Sequence, residues 1–205
     1  DVRRIRLETP VLTNGQMASV IRTKADGIRV RVLPMLFRAE DGPAGLQSGL
    51  DNLLAAADRA LDEGATVLVL SDRGVSREWA PIPALLAVSG LHHHLIRTGR
   101  RTAAGIAVET GEARETHHVA TLLSYGANAV NPWLLLDTVA EAARRGELEQ
   151  PGMSPEEAVA RAVKALTKGL MKILSKMGIS TIQSYIGAQI FEAVGIHADV
   201  IDAWF

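Results

Sequence analysis

A glycine closes each of four successive helical stretches, and this repeat constrains the fold more than any other feature of the chain. Gly64, Gly99, Gly126 and Gly146 stand where amphipathic runs end, at the position where a left-handed backbone is easiest without a Cβ. After the first three, a short apolar run begins within a few residues. These runs are 66–70 (TVLVL), 104–108 (AGIAV) and 128–131 (NAVN), and an earlier one lies at 28–37 (IRVRVLPMLF). Between them, Leu50, Leu53, Leu54, Ala57 and Leu61 form an apolar stripe opposite Asp51, Asp58, Arg59 and Asp62, the pattern of a half-buried helix. Residues 81–98, opened by Pro81 and Pro83, then 114–125 and 134–145, continue the helical spacing. Strand–helix–strand repetition of this kind predicts βαβ units and a parallel sheet. The expected fold is α/β, a parallel β-sheet of four to five strands, partial barrel-like or three-layer, with a helical C-terminal appendage.

The tail has a different grammar. Ser154–Pro155–Glu156–Glu157 reads as a helix start, and the helix runs toward residue 175. Gly178 breaks it, and a second helix is expected over 181–194, ending at Gly195. Asp41–Gly42–Pro43–Ala44–Gly45 reads as a surface loop, and Leu148–Glu149–Gln150–Pro151–Gly152 as the best internal boundary. Residues 1–150 then hold the α/β portion and 151–205 the helical segment. The chain opens without Met and finishes on Trp204–Phe205, so a piece of a longer protein is expected, with an exposed apolar end.

Charge and missing residues exclude several chemistries. With 22 Lys+Arg against 23 Asp+Glu the formal charge is −1, without the basic footprint of a nucleic-acid binder. No Cys is present, so disulfides, thiolate zinc sites, cysteine-ligated iron–sulfur clusters and a cysteine nucleophile are ruled out. No apolar run approaches the ~20 residues that span a bilayer. A soluble, cytoplasmic protein with no nucleic-acid or membrane partner is expected. No two glycines are two residues apart, so no GxGxxG loop exists, and GxxxxGK[ST], HExxH and GxSxG are absent as well.

What remains lies where the strands end, the place where parallel α/β folds bind ligands. Asp72, Arg73, Glu109, Glu112, Arg114 and Asn131 form a candidate polar rim, read either as a small-molecule site or internal channel, or as helix caps and mutual pairs. Arg114 could pair with a buried carboxylate such as Glu109. His92, His93 and His94 resemble a metal tract, but adjacent helical positions point ~100° apart and cannot converge on one ion. Glu112, Glu115 and His118 include a single Glu-x-x-His, whereas carboxylate di-iron sites need two. No metal, cofactor or catalytic residue is therefore assigned. Met171, Leu174 and Met177 suggest a packed face. Lys168, Lys172 and Lys176, at i, i+4 and i+8, form a basic edge of the sort that is usually solvated.

Five strings resemble the large subunit of glutamate synthase: LETPVLTN (7–14), VLVLSDRG (67–74), PIPALLAVSGLHHHLIRTGRR (81–101), VETGEARETHHVATLLSYGANAVNPW (108–133) and KGLMKILSKMGISTIQSYIGAQIFEAVGI (168–196). They cover nearly the whole chain in the family's order. The resemblance implies a parent that makes two glutamates from glutamine and 2-oxoglutarate. In that parent a glutaminase domain with a cysteine nucleophile releases ammonia, which crosses a tunnel to an FMN-containing barrel. A three-iron cluster and a small subunit or ferredoxin supply electrons, and a C-terminal β-helix follows. This chain departs from the full pattern. It has no Cys, no paired glycines for β-helix repeats and no MSxGxxS opening of the flavin barrel. The resemblance thus places it in the later part of the central domain, a connector between glutaminase and synthase sites that is not itself catalytic and holds neither FMN nor the cluster. The alternatives are a small-molecule site on the rim and a homotypic interaction module, since apolar faces of the tail would favour a homo-oligomer.

Overall fold

The computed structural model describes residues 5–188 and 190–205; the first four residues of the charged opening segment, and Gln189 within the helix expected over 181–194, lie outside the described residues. Four parallel strands form the sheet: β1 (Val30–Pro34), β3 (Val67–Ser71), β5 (Gly105–Glu109) and β6 (Ala129–Asn131). They lie side by side in chain order, β1-β3-β5-β6, in a register that aligns Pro34, Ser71, Glu109 and Asn131 across one end. The segment around Val11 extends this sheet past β6 with one parallel bridge to Val130.

The strands alternate between two covered faces, as period-2 side chains require. Leu33, Leu68, Leu70, Ile106, Val108 and Val130 point into the larger core. Covering them are α2 (Gly42–Asp62), α3 (Ala84–Arg97) and α4 (Thr116–Ser124), which contribute Leu50, Leu53, Ala57, Leu91, Leu95, Val119 and Leu123. Val69, Ala107 and Ala129 face the other way, into a small cluster with Leu12 and Met17. Met17 belongs to α1 (Asn14–Ile21), a helix not expected from the sequence, started by a capping box in which Thr13 and Gln16 satisfy each other's backbone. Its two turns suffice because Ala107 and Ala129 are small enough to receive Met17.

Beyond β6, α5 (Trp133–Arg145) and α6 (Pro155–Lys176) form a packed helix pair, connected through residues 146–154. The α6 backbone passes so close to α4 that a Cβ at Gly169 would clash with the Thr116 side chain. A short α7 (Ile182–Tyr185) and α8 (Ala198–Trp204) complete the chain.

Several expectations are corrected. The run 28–37 is two strands: β1 ends at Pro34, and β2 (Leu36–Arg38) pairs antiparallel with β4 (Trp79–Pro81). Pro81 is therefore in a strand, and α3 starts only at Ala84, after Pro83. Residues 41–45 are not a loop, because Gly42 opens α2 and Pro43 sits in its first turn, where no N–H is needed. The helix expected over 181–194 shrinks to Ile182–Tyr185. Tyr185 is drawn fully into the core, and Gly187 turns the chain with φ 74° directly against the His92 ring. The end of the chain is docked: Trp204 lies over Gly90 of α3, and Phe205 meets Tyr125 edge-on at 5.5 Å. The four helix-closing glycines do have positive φ.

Candidate functional site

At the carboxyl end of the sheet the last residues of β3, β5 and β6 put Ser71, Glu109 and Asn131 side by side on one face. Glu109 is 6% exposed. Its Oε2 accepts from the Ser71 hydroxyl at 2.6 Å and its Oε1 from Arg73 Nε at 2.5 Å. The Arg73 guanidinium then lies over the Trp133 ring, 4.6 Å from the centroid, a cation–π arrangement. Asp72, 3% exposed, gathers three donors: the Thr110 hydroxyl at 2.7 Å and Gly111 N–H at 2.8 Å on Oδ2, and Trp133 Nε1–H at 2.6 Å on Oδ1. Asn131 is fully buried and donates through Nδ2 to the Leu12 carbonyl and Asn14 Oδ1, each at 2.9 Å. Its Oδ1 has no hydrogen-bond partner among the described residues.

Four of the six rim candidates, Asp72, Arg73, Glu109 and Asn131, thus come together. Glu112 is exposed and caps a helix other than its own, accepting from Ala84 N–H at the start of α3 at 3.0 Å. Arg114 is exposed, and its guanidinium makes no hydrogen bond or ion pair among the described residues. Its expected pairing with Glu109 is not made, because Arg73, two residues past the end of β3, reaches that carboxylate first. Ser71, Thr110, Trp133 and Asn14 were missed as participants. Trp133 follows Asn131–Pro132, a strand end running into a helix start, and that position was the available signal.

At the opposite end of the sheet a cation is half-buried. Arg101 donates from Nε to His92 Nδ1 at 2.8 Å, from one terminal nitrogen to the Ala104 carbonyl at 3.0 Å, and from the other to the Gly126 carbonyl at 2.9 Å. Every one of these acceptors is neutral. Burial lowers the Arg101 pKa. His92 is pushed down to about 4, mainly by burial and then by Arg101 and His93, so it accepts at Nδ1 as a neutral ring. Its neighbours diverge: His93 Nδ1 lies 2.9 Å from the Ser89 carbonyl, and His94 Nε2 lies 2.8 Å from Asp58. Among the described residues no group of three or more His, Cys, Asp or Glu is placed to hold a metal ion, and no helix is long and apolar enough to cross a membrane.

Parallel strands in chain order, helices over one face and a polar cluster at the carboxyl ends define an α/β domain of the kind built from barrel-like βαβ units. The chain belongs to the glutamate synthase central domain family, whose pattern matches residues 1–197. It is 48% identical to the NADPH glutamate synthase large chain of Bacillus subtilis (strain 168) over 100% of its length, and 39% identical to the NADH glutamate synthase of Schizosaccharomyces pombe over 99%. It is 40% identical to the ferredoxin-dependent glutamate synthase of Pyropia yezoensis over 99%. These matches span only 13, 10 and 14% of those relatives' own lengths. Among solved structures, 74% of the chain superposes on 38% of a flavocytochrome b2 mutant with benzoylformate, with TM-score 0.54 and 12% identity. A mandelate oxidase mutant with an FMN adduct aligns over 65% of this chain and 37% of its own, with TM-score 0.51 and 17% identity. At such identities the likeness concerns the fold.

Proposed function

We propose that this chain is a structural connector in a glutamate synthase, holding a glutaminase site and a synthase site in line while carrying out no chemistry itself. The parent would convert glutamine and 2-oxoglutarate reductively to two glutamates, with FMN and an iron–sulfur cluster in other domains. Electrons would come from a small subunit or from ferredoxin, in the cytoplasm. Residues 1–150 would be the connector body, and 151–205 the segment leading toward the flavin domain. The neighbouring domains of the same subunit are its partners.

One observation carries this reading. The strand-end rim, where such folds hold ligands, is filled by its own side chains: the Asp72 and Glu109 oxygens are occupied by internal donors, and Trp133 and Arg73 lie over them. Neither implied group fits here. A cluster needs thiolates and the chain has no Cys, and two buried carboxylates repel the phosphate of a flavin nucleotide. Purified chain should carry no flavin absorbance and no iron, release no ammonia from glutamine, and give no heat on titration with 2-oxoglutarate. Bound flavin or a saturable 2-oxoglutarate isotherm would overturn the assignment, the latter in favour of a small-molecule site on the rim.

A further inference from the structure

Lysine is distributed unevenly in this protein. Of five lysines, four lie on α6 as Lys164, Lys168, Lys172 and Lys176, a row about 18 Å long at the helical rise of ~1.5 Å per residue. All four are exposed, and none makes a hydrogen bond or ion pair among the described residues. After Glu157 the helix carries no acid at all. Several cations elsewhere on the surface are matched, Arg31 with Glu63, Arg38 with Glu40, Arg100 with Asp62, Arg144 and Arg145 with Glu141, and an unmatched one such as Arg114 does not stand in a row of like charges on one helix. Like charges at i, i+4 destabilise a helix, and only the last turn gains from the negative end of the dipole.

Beside the row lies an apolar surface. Met171 and Met177 are 58% and 45% exposed. Met171 lines a shallow groove of about 330 Å³ with Leu174, Ser175, Gly178, Ile179 and Ser180. Thioether side chains suit a surface that repacks around a guest, and the turn that presents Met171 and Ser175 also presents Lys172 and Lys176.

From this juxtaposition we infer that the outer face of α6 and the turn after it form a docking site for an acidic amphipathic helix of a protein partner, with carboxylates along the lysine row and an apolar side chain in the groove. Nucleic acid fits less well. The row contains no aromatic residue for base stacking, and its one nearby arginine, Arg161, is engaged by Glu157 at 2.6 Å and Gln150 at 2.5 Å. A membrane surface fits less well too, since the apolar face of α6, with Leu166, Leu170 and Leu174, is already spent on the protein's own core. This inference stands on α6 alone and is independent of the connector reading.

The test uses the chain itself and a fluorescent peptide of about 16 residues, with Glu at i, i+4 and i+8 and Leu and Met on the opposite face, followed by anisotropy. Binding should be saturable at low salt and weaken steeply with added salt. It should fall by about tenfold or more in Lys168→Glu/Lys172→Glu, less in Lys168→Gln/Lys172→Gln, and also in Met171→Asp, which leaves every lysine in place. All these positions are exposed, and circular dichroism would confirm that each variant is folded. Absence of saturable binding to wild type would overturn the assignment. So would equal binding by the charge-reversed chain or by a scrambled peptide of the same composition, or tighter binding of phosphatidylserine vesicles or single-stranded DNA.

Discussion

The two ends of the sheet hold opposite charges, and the helices explain which charge goes where. At the carboxyl end of the strands, where α3, α4 and α5 begin, the buried groups are the carboxylates of Asp72 and Glu109. At the amino end, where α3 and α4 finish, the charged group is the half-buried guanidinium of Arg101, bonded to the carbonyl of Gly126 just past α4. Helix N-termini favour anions and C-termini favour cations, so βαβ connectivity alone sorts the charges. The difference between the ends lies in how the charges are satisfied. Glu109 has a counter-ion in Arg73, whereas among the described residues Arg101 has only neutral acceptors, including a histidine that must stay unprotonated. The amino end therefore depends on His92 remaining neutral.

Removing the central group at each end gives the largest expected effects. Asp72→Leu strands the Trp133 and Gly111 N–H groups and the Thr110 hydroxyl in the interior, and should cost about 3–5 kcal/mol. Arg101→Leu leaves carbonyls with some capacity to accept elsewhere, and should cost about 2–3 kcal/mol. Urea midpoints of the two variants decide the matter, and Arg101→Leu proving the costlier would reverse the ranking of the two ends.

Acid should act on the amino end through His92. Its folded pKa, about 4, lies below the ordinary value of 6.5, so the unfolded chain takes up its proton first as pH falls. The stability tied to the neutral ring is complete above pH ~6.5 and lost by pH ~4, a change of ~2–3 kcal/mol across that window. Because other groups titrate there too, the readout is the difference between wild type and His92→Gln, whose amide oxygen can still accept from Arg101. Parallel urea-midpoint curves for the two proteins between pH ~7 and ~4.5 would show that His92 is not the group responsible.

The legible parts of this molecule were those that local rules dictate. The helix-closing glycines marked α2, α3, α4 and α5, and the runs between them marked the strands, because C-cap geometry and period are properties of a few adjacent residues. Helix α1 escaped because NGQMASVI contains Gly15 and no long apolar stripe; it is made by a capping box and by the small side chains of Ala107 and Ala129 opposite it. Strands β2 and β4 escaped because each has three residues and exists only through the other. At the rim, placement at strand ends brought in Asp72, Glu109 and Asn131, since register decides their position. The rotamers of Arg73, Glu112 and Arg114 depend on distant competition for partners, which no spacing records. Trp133, not singled out from the sequence, turns out to be a hydrogen-bond donor to Asp72.

The smallest effect sharpens that last point, because it sets two rim arginines against each other. Both belong to the rim read from the sequence, where Arg114 is the one considered as a partner for Glu109. Arg73 holds the carboxylate at 2.5 Å and stacks on Trp133, yet its side chain is 41% exposed, so solvent screens much of the attraction. Arg73→Ala should cost about 1 kcal/mol, mostly because Glu109 stays buried without its cation. Arg114→Ala, removing an exposed guanidinium with no hydrogen-bond or ion-pair partner among the described residues, should change stability by less than about 0.5 kcal/mol. If instead Arg114→Ala shifted the denaturation midpoint as far as Arg73→Ala, the two arginines would share Glu109 in solution, and the rim would be a looser cluster than its geometry implies.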